Sequence, residues 1–407
     1  PQFRSSAASD VYKRQPLIVI IGGCVLLLVS FGIRHSSGLY LTPISNQLSV
    51  GREVFGFAIA IQFLMIGFGS PIFGAIADKY GSGQAALSGV ILFIIGLYMF
   101  SLAESSSFLI FSQAIFGLGC AGCGTAVVLG AVGKTVLEKN RTLALGVVMA
   151  AGSLGQVLIV PLTGILIAAS DWQRSIVYLC FIALIMIVFS LALNLSGKNF
   201  DTSQSQDRPL KTVLTEAFVN KSYILLTAGF FVCGFHVAFV ATHLPAYLED
   251  ISLAAWVGSW SLGLIGLFNV VGTLMFGRLG DSKSKKNLLV ILYSLRSILF
   301  LIFIFLPKTE ITILIFAALL GILWLSTVPL TSGIISVIFG SRYMSMLYGF
   351  TFLSHQLGSF AGSWFGGRFY DIYGTYDIMW WICVALGFAS AAMHLPINEK
   401  PLEKIYT

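Results

Sequence analysis

GAIAD (Gly74–Asp78) and GRLGD (Gly277–Asp281) interrupt apolar runs at matching places in the two halves of a 407-residue chain. The flanks align without a gap, Gly69 with Gly272, Ser70 with Thr273 and Phe73 with Phe276. A glycine that lets a helix end pack closely, followed by an aspartate at a membrane edge, therefore occurs once per half. That pattern describes a duplicated membrane protein, and duplicated membrane proteins are most often transporters.

Composition bounds the solvent. The chain is 57% apolar and only 10% charged, with a mean hydropathy of +0.90. So few charges cannot cover a water-soluble globule of this size, and lipid must solvate most of the surface. The net charge of +7 does not indicate nucleic acid, because the cations are scattered over short gaps rather than gathered into a patch.

A helix crosses the hydrocarbon with about 20 apolar residues, and the chain supplies twelve such runs. Spans 1 to 6 are expected at 16–45, 52–77, 84–103, 108–133, 142–169 and 173–195. Spans 7 to 12 follow at 221–248, 254–280, 286–306, 311–339, 343–367 and 376–395. The expected fold is an all-α membrane protein, twelve transmembrane helices in two pseudo-symmetric six-helix bundles (16–195 and 221–395). A cytoplasmic linker fills 196–220 and a cytoplasmic tail 396–407. Residues 1–15 read as a non-native or disordered leader. With the N-terminus inside, 18 of the 24 Lys and Arg fall in inner segments and four (Arg52, Arg174, Lys308, Arg368) in outer ones. Cationic loops stay cytoplasmic, so the expectation is a multi-pass protein of the inner (cytoplasmic) membrane with both termini cytoplasmic.

All six cysteines lie in apolar runs, which is no disulfide framework. Cys120 and Cys123 form a CxxC within GLGCAGCG, a small-residue string suited to close helix packing. No GxxxxGK[ST] string and no large extramembrane segment is present. Nothing here suggests an enzyme, a cofactor or a metal, and transport would be driven by gradients or exchange.

All 17 acidic residues sit in loops or at span ends, whereas Arg34, His35, His236, His243, Arg296 and His355 lie within spans. A cation in lipid costs at least about 2.5 kcal/mol without a partner, so the missing counter-charge points to an anionic cargo. Arg34 is the leading candidate. Ser30, Ser37 and Gly38 flank it at helical spacing, and a guanidinium fork can hold a carboxylate bidentately. The alternative is snorkelling or a bond to a neighbouring carbonyl. His236 and His243 share a face of span 7; each either titrates with a coupling proton or makes a structural hydrogen bond. His355 with Gln356 in span 11 carries the same two readings. Asn269 in span 8 binds cargo or joins helices, and Arg296 is expected to contact carbonyls or a neighbouring span. Gly152, Gly155, Pro161 and Gly164 in span 5, Pro329 in span 10 and Gly358, Gly362, Gly366 and Gly367 in span 11 suit both close packing and bending.

The paired GxxxD loops, the twelve spans and the polar linker resemble the major facilitator superfamily over residues 16–395. More narrowly, GIRHSSGLYLTPI, FHVAFVATHLPAYLED, WLSTVPLTSG and HQLGSFAG resemble its bacterial branch similar to monocarboxylate carriers and oxalate/formate exchangers. The resemblance implies a central cavity lined mainly by spans 1, 4, 7 and 10 and alternating access by rocking halves. It also assigns Gly74, Asp78, Gly81, Gly277, Arg278 and Asp281 to a conformational latch rather than to cargo. The chain departs from the family pattern in three places: KYGSGQ follows the first latch without a basic pair, Ser284 replaces the latch glycine, and span 8 offers Asn269 and Thr273 where related anion carriers place an arginine.

The resulting expectation is a secondary carrier for a small organic anion, a monocarboxylate, working by proton symport or anion exchange. Its partners are that anion, a coupling proton or counter-anion, and the bilayer. The substrate-binding set is Arg34, Ser37, His236, His243, Asn269, His355 and Gln356. The rival readings are an exporter of lipophilic or cationic compounds, which usually wants a buried carboxylate, and a non-transporting receptor on the same fold.

Overall fold

A computed structural model describes residues 2–136, 138–196 and 210–401. Most of the linker expected at 196–220 and the end of the tail expected at 396–407 lie outside the described residues. Those that are described form helices and short 3-10 turns, with no strand. Eleven helical stretches are long and apolar enough to cross a membrane: Gln15–Leu48, Arg52–Tyr80, Ser82–Ser101, Ser106–Thr135, Ala144–Ala169 and Trp172–Leu195, then Lys221–Asp250, Ala255–Ser282, Lys285–Phe305, Glu310–Phe339 and Asp377–His394. They are spans 1–10 and 12. Span 11 is the helix Ser341–Tyr373, long enough but interrupted by buried polar residues, among them Thr351, His355, Gln356, Ser359 and Ser363.

Local chemistry sets the helix ends. The side chains of Asp171, Asn220 and Ser284 accept from the third residue beyond them, and Thr309 forms a reciprocal capping box with Thr312, satisfying amides that have no intrahelical partner. Gly81, at φ +113°, turns the chain into span 3. A side chain there would be strained.

The chain divides into two compact units, Pro1–Tyr40 with Leu64–Ser203, and Leu41–Phe63 with Gln204–Thr407. The end of span 1 and the start of span 2 thus belong to the second unit. Glycine-lined crossings hold each unit together, one of them between spans 1 and 5 in the first and one between spans 7 and 11 in the second. In the first, Gly155 of span 5 lies against the Leu28 carbonyl of span 1, and Thr163 donates to Ser36 at 3.0 Å. In the second, Gly234 of span 7 lies against the His355 carbonyl, and Gly358 of span 11 against Phe231. A Cβ at any of these glycines would collide with backbone, so the glycines of spans 5 and 11 serve close packing.

Four spans are discontinuous: span 6 is split at Leu184, between Trp172–Ala183 and Ile185–Ala192, and the other three break as follows. Span 1 leaves the α-helix after His35, passes through the 3-10 turn Ser37–Tyr40 and resumes at Leu41. Span 4 breaks between Gly122 and Thr125, and span 10 between Leu323 and Thr327. The last two stand at corresponding places in the repeat. Pro329 lies just inside the second half of span 10, where a helix tolerates it; Pro161 is accommodated within a continuous span 5 helix.

Candidate functional site

Arg34 occupies the last turn of the first half of span 1, where the helix end carries about half a negative charge and favours a cation. Its guanidinium carbon lies 4.8 Å from the Phe31 ring centroid. Among the described residues it has no hydrogen bond and no ion pair, and it is half-buried. Ser30, one turn earlier, is buried with an unpartnered hydroxyl. Ser37 does not point a free hydroxyl at cargo, since it donates to the Arg34 carbonyl at 2.8 Å. His35 is likewise engaged, through Nδ1 and the Phe31 carbonyl at 2.8 Å. The guanidinium N–H groups of Arg34 thus have no hydrogen-bond acceptor among the described residues.

The other expected cargo residues lie in the second unit and mostly hold protein. His236 Nε2 donates to the Cys383 carbonyl at 2.9 Å. His243 Nε2 donates to the Ser363 carbonyl at 2.7 Å, leaving Nδ1 to accept from the Tyr376 hydroxyl at 3.1 Å. Asn269 Oδ1 accepts from Leu325 N at 2.9 Å and thereby caps the break of span 10. Gln356 Nε2 donates to the Phe63 carbonyl at 3.3 Å. His355 bonds Gln356 through Nδ1 at 3.1 Å and leaves a buried Nε2 unpartnered. Arg296 donates from Nη2 to the carbonyls of Leu323 and Trp324, the carbonyl contact expected of it.

The motif residues fall into two groups. Asp78 pairs with Lys134 at 2.6 Å, and Gly81 needs its positive φ. Gly74 and Gly277 were expected to admit a close helix contact, but a Cβ at either meets nothing within 4 Å. The tight approaches come slightly earlier, where a Cβ added at Gly69 would meet the Ala121 Cβ at 2.7 Å and one at Gly272 would meet the Ile322 carbonyl. Steric need for glycine thus lies at the aligned flanking pair. Arg278 and Asp281 are exposed and form no ion pair among the described residues. Ser284, standing where a latch glycine was expected, caps span 9 and donates to Glu399 at 2.7 Å.

Sequence reasoning missed a charge network in the second unit. Arg52 holds Asp250 through both terminal nitrogens, at 2.6 and 2.7 Å, donates to Tyr376 at 3.0 Å and stacks on Tyr370 at 3.8 Å. Asp371 accepts from the amides of Arg52 and Glu53 at 2.9 and 2.8 Å. Glu53 in turn accepts from Arg368 and Trp364. The available signal was the concentration of charge at the ends of spans 2, 7 and 11. Among the described residues no group of His, Cys, Asp and Glu could hold a metal ion, and all six cysteines are free.

Comparison with known proteins agrees with this architecture. The Major Facilitator Superfamily model matches residues 22–363. An uncharacterized MFS-type transporter of Bacillus subtilis, YcxA, is 22% identical over 96% of this chain and 97% of its own length. The oxalate:formate antiporter of Oxalobacter formigenes is 22% identical over 94% of this chain and 92% of that protein. Monocarboxylate transporter 12 of Rattus norvegicus is 21% identical over 94% and 87%. A crystal structure of a D-xylose-proton symporter superposes with a TM-score of 0.73 at 14% identity, covering 95% of this chain and 99% of that one. The repeated motifs, the membrane-spanning helices and these matches together place the chain in the Major Facilitator Superfamily, in a branch similar to monocarboxylate carriers, as a multi-pass membrane transporter of the symport or antiport type.

Proposed function

We propose that the protein is a secondary carrier for a small organic anion, a monocarboxylate, gripped by Arg34. The observation that carries this reading is the unpartnered guanidinium of Arg34 deep in span 1, with no acceptor among the described residues. A bidentate carboxylate would complete its hydrogen bonding and neutralise its charge. The similarity to an oxalate:formate antiporter and to a monocarboxylate transporter supports the same cargo class. A cationic cargo would want a carboxylate within the spans, and the acids of this chain stand at span ends.

In this reading Ser30 supplies a second donor beside Arg34, and His355 keeps one ring nitrogen unpartnered in span 11. His236, His243, Asn269 and Gln356 shape the helix contacts of their unit. The carrier resides in the inner membrane with both termini cytoplasmic, as the loop charges require. Proteoliposomes offered labelled lactate, formate, oxalate and a cationic dye test the proposal. Uptake of a monocarboxylate, lost in Arg34→Gln with normal expression, is the expected result; unchanged carboxylate uptake in that variant, or movement of the dye alone, overturns it.

A further inference from the structure

Arg296 poses a problem of charge that its known contacts leave half solved. It is fully buried and a guanidinium stays protonated in proteins. Its Nη2 rests on the carbonyl end of the helix Glu310–Leu323, which contributes about half a negative charge. Nε and Nη1 have no partner, and no ion pair to Arg296 exists among the described residues. A buried charge left in that condition is strongly unfavourable unless something neutralises the remainder.

The surroundings share the deficit. Tyr293, Arg296, Ser297 and Phe300 lie on one face of span 9 and all are fully buried. The Ser297 hydroxyl is unpartnered, as are the Trp324 indole N–H and the Thr331 hydroxyl on span 10, while the Tyr293 hydroxyl lies beside Ser390 and Thr327. Ser297 Oγ and the His236 ring both lie against Gly387 of span 12, where an added Cβ would collide with the Ser297 hydroxyl. His236 and His394 spend their N–H on the carbonyls of Cys383 and Ser390, so their remaining ring nitrogens are buried lone pairs without a partner. His394 also stacks on Tyr293 at 5.0 Å. Beside this cluster the second half of span 10 begins at Thr327 with no side-chain cap, adding the positive end of a 13-residue helix to the same place.

We propose that the break of span 10 holds a small inorganic anion of the halide class, with water, against Arg296. Arg296 Nε and Nη1 and the Ser297 hydroxyl donate to the ion. The ion is structural: it completes the charge balance of the second unit and fixes the break. It is separate from the cargo held by Arg34.

Purified protein in detergent, at constant ionic strength in sodium chloride, bromide or gluconate, tests this. Melting should rise by at least about 2 °C in either halide over gluconate, and a crystal grown in bromide should show anomalous density within about 3.5 Å of Arg296 Nη1 or Nε. Arg296→Met should lose the halide gain, whereas Arg34→Gln should keep it. Should Arg296→Met fail to fold, Ser297→Ala serves instead, with bromide affinity expected to fall several-fold. Equal melting in all three salts, water alone beside Arg296, a halide gain surviving in Arg296→Met, or undiminished bromide affinity in Ser297→Ala overturns the proposal.

Discussion

Two arginines lie deep in the spans, and the chain treats them in opposite ways. Arg34 stands at a helix end in the first unit, half-buried, over the ring of Phe31 and without a hydrogen bond or ion pair among the described residues. Arg296, in the second unit, is fully buried and ties off the broken end of span 10 through two carbonyls. One side chain is kept available; the other is consumed by architecture. The lesson is that a cation in a membrane span marks either a binding group or a structural cap, and the hydrogen-bond partners decide which.

The sharpest way to break the contrast is at Arg34. Replacing it with Gln should lower carboxylate uptake by about 100-fold, the loss of a charge-assisted bidentate pair, while melting stays unchanged. An equal fall in melting temperature would make Arg34 structural as well. Arg296→Met should behave in the reverse manner. Two carbonyls at the span 10 break lose their donor, which costs about 1–3 kcal/mol each, so a thermal scan should show a fall of several degrees.

The aligned glycines extend the comparison to packing. Gly272→Ala would drive a methyl into the Ile322 carbonyl and should destabilise by about 2 kcal/mol. Gly277→Ala enters open space in a helix interior and should gain about 0.5–1 kcal/mol of helix propensity. Melting of the pair separates a glycine required by contact from one required by movement, because Gly277→Ala should harm transport only if the latch needs it. Asp250→Asn probes the charge network. Arg52 would keep its bonds to Tyr376 and its stack on Tyr370, so the loss should be about 1 kcal/mol, read as a small drop in melting that shrinks further in high salt.

Much of the fold was open to reading because membrane solvation imposes a coarse rule: apolar runs of fixed length, punctuated by polar ends. Eleven of the twelve expected spans meet that rule among the described residues. Span 11 is the exception because it carries several buried polar side chains, most of them bonded to protein, as Ser363 is to the Gly56 carbonyl. The site was less legible. Arg34 announced itself through the cost of a charge in lipid. The histidines, however, looked alike in sequence, and only their partners distinguish His243, bonded on both nitrogens, from His355, open on one.

What the amino-acid sequence determined by itself is the membrane class, the twofold repeat and the location of its rare buried cations, since hydropathy, spacing and charge are properties of the chain read in one dimension. The structure alone decided that Gly69 and Gly272 make the close contacts, that spans 4 and 10 break at matching positions, and that Arg52, Asp250, Asp371 and Tyr376 form one network. Those outcomes depend on which backbone groups meet across hundreds of residues, and a hydrogen bond or a collision exists only once two distant segments share the same few ångströms.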